Sequence, residues 1–191
     1  MSQIGKTFKK SDIKILYIFN VKFRCKTLNH FMRISTNFGA ITFSSPYLLL
    51  LLLMGLRKLA VYSLINLFFG QIIVQTLKRL VDRERPFNVL DFAVTDKIPY
   101  SKYSFPSGHT NAAFCMAFPI LTLGFPLPLC ILAIFVATIV GLSRMYLGVH
   151  YPSDVIVGIF AAFLVNKLVY YFIDLNIATS YFSNILSKIS L

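Results

Sequence analysis

LPLCILAIFVATIVGLSRMYLGVHYPSDVIVGIFAAFLVNKLVYYFI, residues 127–173, is two apolar runs joined by a short polar hinge. Each run, 127–146 and 154–173, reaches the ~20 mostly apolar residues that a helix needs to cross a bilayer. Between them SRMYLGVHYPSD (143–154) sets Arg144, His150 and Asp154 where the first helix gives way to a loop. Cation, imidazole and carboxylate are costly to keep at a bilayer edge, so their presence there marks a candidate site.

The rest of the chain agrees with a membrane reading. It has 191 residues, 57% hydrophobic and only 14% charged, with a mean hydropathy of +0.70. A soluble domain of this length cannot bury so much apolar surface. The fold class expected is all-α, an integral membrane helical bundle. Three further segments approach spanning length, at roughly 38–56, 59–80 and 107–125. That makes about five transmembrane helices. "RK" at 57–58 reads as a tight turn between the first two, and "GFPLP" at 124–128 separates the third from the fourth. The connection 81–106 is polar and aromatic and is expected to lie along the interface. The first long apolar stretch begins near residue 38, so no cleavable signal peptide is expected.

Residues 1–37 differ in kind. They carry eight Lys/Arg, from Lys6 to Arg33, with apolar residues interleaved. This is too charged to span and reads as a basic amphipathic segment on the membrane surface. The expected organisation is therefore a surface segment (1–37), a transmembrane domain (38–175) and a C-terminal tail (176–191). The net charge of +12 fits anionic lipid head groups better than nucleic acid, because so much of it lies in this segment and around the candidate site. Cys25, Cys115 and Cys130 form no CxxC pair and no metal-ligand spacing, so they read as isolated small apolar residues.

Five spans bring distant polar clusters to one face. The second span ends at Lys78 to Pro86, the third begins at Pro106 to His109, and the fourth returns to Arg144. Lys78, Arg85 and Arg144 at one depth suit an oxyanion with several oxygens, above all phosphate. Ser107 and Gly108 open a helix, whose free N–H groups and dipole favour an anion. Asp154 can fix the tautomer of His150 and free its other nitrogen for attack. His109 can protonate a leaving oxygen. With only seven Asp/Glu in the chain there is no carboxylate cage for a metal pair, and neither metal nor cofactor is expected. Taken singly, each piece has a plainer reading. Lys78, Arg79, Arg83 and Arg85 resemble snorkelling anchors, Ser107-Gly108 an ordinary helix start, and His150 with Asp154 a structural hydrogen bond. His30 reads as a surface residue, Arg79 and Arg83 as interfacial charges, and Asn66, Gln71 and Gln75 as hydrogen bonds between helices, with Gln75 close enough to reach the site.

Together the pieces form a pattern. KRLVDRERP (78–86), PSGH (106–109) and SRMYLGVHYPSD (143–154) resemble the three signature motifs of the type 2 phosphatidic acid phosphatase superfamily: K-x6-RP, PSGH and SR-x5-H-x3-D. The resemblance implies His150 as a nucleophile that forms a phosphohistidine, Asp154 as its partner and His109 as general acid. It implies Lys78, Arg85, Ser107, Gly108 and Arg144 as the phosphate-binding set. Many bacterial members have six spans, against five here with a surface segment. The short chain is similar to the small undecaprenyl pyrophosphate phosphatases of that superfamily.

The expected function is hydrolysis of a lipid phosphate or diphosphate, undecaprenyl pyrophosphate being favoured. Phosphatidylglycerol phosphate and phosphatidic acid are rival substrates. A phosphotransferase and a non-enzymatic anion-binding or transport module are the other classes. The expected partners are the lipid substrate and the bilayer, without nucleic acid; oligomeric state is not legible. The expected location is the cell membrane. Positive-inside counting favours a cytoplasmic site, whereas the resemblance implies an extracytoplasmic one, which is the reading adopted. Labelling at residue 97 would separate them.

Overall fold

The structure, a computed structural model, describes residues 3–95 and 102–189. Residue 97 and the middle of the 81–106 connection lie outside the described residues, as do the side chains of Lys6, Lys9 and Lys188. α1 (Gln3–Tyr17) runs into a π-helical turn at Ile18–Lys22, followed by α2 (Lys26–Ser35) and a 3-10 turn at Thr36–Gly39. A 61° bend separates that arm from α3 (Ile41–Leu53). Then come α4 (Arg57–Val81), the short α5 (Pro86–Val89), α6 (Gly108–Thr122), α7 (Leu127–Tyr146), α8 (Pro152–Phe172) and α9 (Leu175–Ile189). Among the described residues there is no strand, in keeping with the all-α class.

Local chemistry sets the ends of these helices. Pro128 and Pro152 sit in the first turns of α7 and α8, where the missing N–H costs nothing and the fixed φ suits a helix. Asp154 in the first turn of α8 complements the positive end of the dipole, and its Oδ2 accepts a hydrogen bond from the Tyr151 N–H at 2.8 Å. α4 ends with Lys78 and Arg79 in its last turn, beside the negative end of its dipole, and terminates at Asp82 with φ 46°.

α6 is the inner helix. Thr110 through Ala117 are all buried, and α4, α7 and α8 pack around them. Ala112, Ala113 and Ala117 are small enough to let neighbouring backbones approach. The outer faces of α7 and α8 present Ile131, Leu132, Phe135, Ile156, Phe160 and Phe163, all exposed. A soluble monomer rarely displays patches of that extent; a bilayer covers them. The protein is a multi-pass membrane protein.

The spans differ in detail from the sequence expectation. α4 with its short continuation, α7 and α8 are long and apolar enough to cross, and the bent pair of α2 with its 3-10 turn and α3 adds a fourth crossing if taken as one span. The segment read as 38–56 forms only the 13 residues of α3, because the chain breaks at Gly39–Ala40. The segment read as 107–125 forms the 15-residue α6, about 22 Å at 1.5 Å per residue. Such a length is short of the hydrocarbon thickness, and the helix is shielded by its neighbours. Arg57 and Lys58 begin α4 rather than making the turn. The reversal is made at Gly55, whose φ of +75° needs a residue without a Cβ. The C-terminal tail is helical and packs as α9 against α4, with Lys58 Nζ 3.2 Å from Asn176 Oδ1.

The N-terminal arm is joined to the bundle by specific contacts. Asn20 Nδ2 donates to Tyr146 O at 2.7 Å and to Val94 O at 2.8 Å. Leu16 packs in a buried cluster with Met145, Tyr151 and Val155. These contacts anchor α1 and the π-helical turn beneath the loop that follows α7.

Candidate active site

Four junctions supply the site: the end of α4, the N-cap of α5, the start of α6 and the loop from α7 to α8. Lys78 lies in the last turn of α4 and Arg144 in the last turn of α7. Arg85 precedes Pro86 in extended conformation, which the following proline favours. All three cations are buried. Arg85 Nη1 donates to Val149 O at 2.8 Å and stands 3.4 Å from His150 Nε2. Arg144 Nη1 donates to the Thr36 hydroxyl. The backbone of the loop folds back on Arg144, whose carbonyl accepts from the N–H groups of Val149 and His150.

Behind the histidine, Asp154 is fully buried. Its Oδ2 stands 3.5 Å from His150 Nδ1, at the outer edge of hydrogen bonding. That oxygen also accepts from the Ser104 hydroxyl and the Tyr151 N–H. Oδ1 accepts from Arg83 Nη1 at 2.7 Å. Burial pushes the His150 imidazole down to about 3, against the upward pull of Asp154 and with the positive charges of Arg144 and Arg85 adding to the fall. The ring is therefore neutral at physiological pH.

One cavity of about 1070 Å³ joins these groups. Lys78, Arg85, Gly108, His109, Arg144 and His150 line its polar end. Its other end is walled by Leu48 of α3 and by Leu64, Leu67, Phe68 and Ile72 of α4. A cationic pocket thus opens into an apolar chamber between α3 and α4, the shape required by a molecule with an anionic head and a hydrocarbon tail.

Two of the residues selected from sequence lie off this cavity. Asp154 lies behind His150. The Ser107 hydroxyl pairs with Thr110 Oγ1 at 2.8 Å, and its N–H donates to Asp154 O at 3.0 Å. Ser107 thereby ties the start of α6 to the start of α8, and Gly108 and His109 are the residues of that start which line the cavity. Gln75 lines the cavity, as do Gln71 and Arg79. Asn66 bonds within its own helix, to Tyr62 O at 2.9 Å, instead of across helices. His30 is exposed.

Other residues at the site were not singled out in the sequence. Arg83, expected as an interfacial charge, is ion-paired with both Asp12 and Asp154. Ser104, Thr36 and Gly39 complete the surroundings. Asp12 alone left a trace, as the single acid among the basic residues of the N-terminal arm. Among the described residues no group of three or more His, Cys, Asp or Glu is placed to hold a metal ion.

This fold and this set of motif residues define an α-helical membrane protein whose cavity is lined at one end by buried cations and two histidines. Residues 45–178 match the PAP2 superfamily, and the chain belongs to that superfamily. It is 32% identical over 150 residues to the undecaprenyl-diphosphatase of Sulfolobus acidocaldarius, covering 73% of this chain and 71% of that protein. It is 35% identical over 157 residues to phosphatidylglycerophosphatase B of Bacillus subtilis, covering 74% and 73%. The lipid A 1-phosphatase of Rhizobium johnstonii is 34% identical over 108 residues, which are 51% of this chain and only 41% of that protein. The crystal structure of Aquifex aeolicus LpxE superposes with a TM-score of 0.77 at 25% identity, over 84% of this chain and 94% of that one.

Proposed function

We propose that this chain is a membrane lipid phosphatase that hydrolyses a lipid phosphate or diphosphate, with undecaprenyl pyrophosphate, cleaved to undecaprenyl phosphate, as the favoured substrate. The observation that carries this reading is the cavity itself, with both histidines and the three buried cations at one end and an apolar chamber at the other. A long hydrocarbon tail can stay in the chamber and the bilayer while the head meets the cations. The likeness to the Sulfolobus undecaprenyl-diphosphatase supports the substrate. The comparable likeness to the Bacillus phosphatidylglycerophosphatase B makes phosphatidylglycerol phosphate the second reading.

In the proposed cycle His150 Nε2 attacks the terminal phosphorus. A P–N bond forms as the bond from phosphorus to the leaving oxygen breaks, and His109 gives that oxygen a proton. Asp154 orients the ring through Nδ1 and offsets the charge it gains. Lys78, Arg85, Arg144 and the N–H at Gly108 neutralise the equatorial oxygens, which is most of what phosphoryl transfer asks of a protein. Water, giving a proton to His109, then cleaves the P–N bond and releases inorganic phosphate. Ser107 holds the start of α6 in register for this. No metal takes part.

The site is assigned to the extracytoplasmic face of the cell membrane, on the likeness to undecaprenyl-diphosphatases. The basic N-terminal arm shares the catalytic end, so positive-inside counting opposes this assignment. The test of function is release of inorganic phosphate from purified protein across a panel of lipid monophosphates and diphosphates, with chelator in excess. Fastest release from undecaprenyl pyrophosphate is the expected result. Preference for phosphatidylglycerol phosphate would replace the substrate, an acceptor-dependent product without free phosphate would make the enzyme a transferase, and a strict Mg²⁺ requirement would refute the metal-free cycle.

A further inference from the structure

The N-terminal arm reaches the reaction centre through one chain of polar contacts. Asp12, in the middle of α1, is buried although its helix is basic. Its Oδ2 accepts from Arg83 Nη2 at 2.8 Å and from the Ser153 hydroxyl at 2.5 Å, while Oδ1 accepts from the Ser153 N–H at 2.9 Å. Arg83 then turns its other terminal nitrogen to Asp154 Oδ1 and the Ser153 hydroxyl, both at 2.7 Å. The guanidinium lies over the Tyr151 ring, 3.8 Å from its centre. A planar cation with a carboxylate on each terminal nitrogen and an aromatic face beneath it has little freedom left.

The arrangement has a chemical consequence. Asp154 must stay ionised and must keep one oxygen toward His150. Arg83 occupies Oδ1 and leaves Oδ2 on the histidine side. Without a second acid, however, Arg83 would be a full positive charge directed at Asp154 alone and would compete with the imidazolium for it. Asp12 shares that charge and fixes the guanidinium plane. It also caps the start of α8 through the Ser153 N–H, one residue before Asp154.

From these contacts we infer that Asp12 and Arg83 are positioning residues for the phosphoryl-transfer reaction: helix α1, through Asp12–Arg83–Asp154, sets the orientation of the His150 ring. The inference rests on the lipid phosphatase reading for its kinetic consequence, although the orientation of His150 can be observed without turnover. Neither residue touches the cavity, so substrate affinity is not their concern.

The test uses the full-length protein in detergent micelles, with Asp12→Asn, Asp12→Glu and Arg83→Gln. Asp12→Asn and Arg83→Gln should each lower kcat roughly tenfold or more with KM within about twofold. Asp12→Glu, which keeps the charge, should recover most of the loss. In parallel, ¹⁵N-histidine NMR reads the tautomer of each of the three histidines in the chain, assigned by substitution. Wild type should hold His150 with its proton on Nδ1, and Asp12→Asn should shift or mix that signal while those of His30 and His109 stay in place. Unchanged His150 resonances in Asp12→Asn would overturn the proposal whether or not turnover fell, since a fall alone would then mark Asp12 as a support of the fold. Wild type that released no phosphate, yet showed the predicted tautomer change, would remove the phosphatase reading and leave the positioning contact standing.

Discussion

His150 Nδ1 faces Asp154 Oδ2 at 3.5 Å across the loop-to-helix junction that begins α8. The residues are four apart, one before the helix and one in its first turn, so the start of α8 fixes their relation. Asp154 has no contact with the cavity. Asp154→Asn should therefore cut kcat on the order of 10²- to 10⁴-fold while KM moves much less. Steady-state kinetics on a soluble short-chain lipid phosphate measure both. Equal losses in kcat and in lipid binding would give Asp154 a different role.

Gly39 makes the second prediction. It is buried at the break between the N-terminal arm and α3, and a Cβ there would press on the carbonyl oxygen of His109 and lie 2.7 Å from Val140 Cγ1. The backbone of His109 cannot yield without moving its ring. Gly39→Ala should cost about 1–3 kcal/mol of stability and reduce turnover beyond what stability explains. Thermal unfolding in detergent, paired with turnover at a temperature where the variant is fully folded, separates the two effects.

A third prediction concerns pH. The unfolded chain protonates the His150 imidazole near 6.5 and the folded one near 3. Between those values the unfolded state binds more protons, so acid favours unfolding. The contribution of His150 to stability is present in full above about 6.5, falls as the pH drops, and levels off below about 3. The difference in melting temperature between wild type and His150→Gln, followed from pH 8 to pH 4, should change in the acid half of that range. A difference that stayed constant with pH would show that the ring binds protons equally in the folded and unfolded states, so that burial does not lower its pKa.

Sidedness can be tested with a native residue. Cys25 is exposed and lies at the catalytic end, where its backbone meets the Tyr146 hydroxyl. Cys115 is buried, and replacing Cys130 with Ser leaves Cys25 as the accessible thiol. A membrane-impermeant maleimide applied to intact cells should label Cys25 if the site faces outward. Labelling only after the membrane is opened would put the site in the cytoplasm.

Much of this site was legible in the chain because phosphate chemistry fixes both residue type and spacing. Lys78, Arg85, His109, Arg144 and His150, chosen from their motifs, all line one cavity. Arg83 was not legible for that role, since an arginine at a helix end looks the same whether it snorkels or is paired. Its partners are 71 residues away on either side, and only the folded path of the chain brings them together. Thr36, 108 positions from Arg144, was hidden for the same reason. The direction of the Ser107 hydroxyl was not legible, since at a helix start it can turn outward to a ligand or inward to its own helix, where it meets Thr110 Oγ1 at 2.8 Å. The helix boundaries differ from the expected spans because apolar composition marks a helix buried among helices, such as α6, as readily as one that faces lipid.

The central claim is that His150 takes the phosphoryl group. Rapid quenching of the enzyme with ³²P-labelled lipid phosphate tests it most directly. The label should appear on the protein, be stable to base and labile to acid, and map to the peptide containing His150; it should be absent from His150→Ala. Phosphate release without a trapped intermediate in wild type, or label on any other residue, would contradict the account.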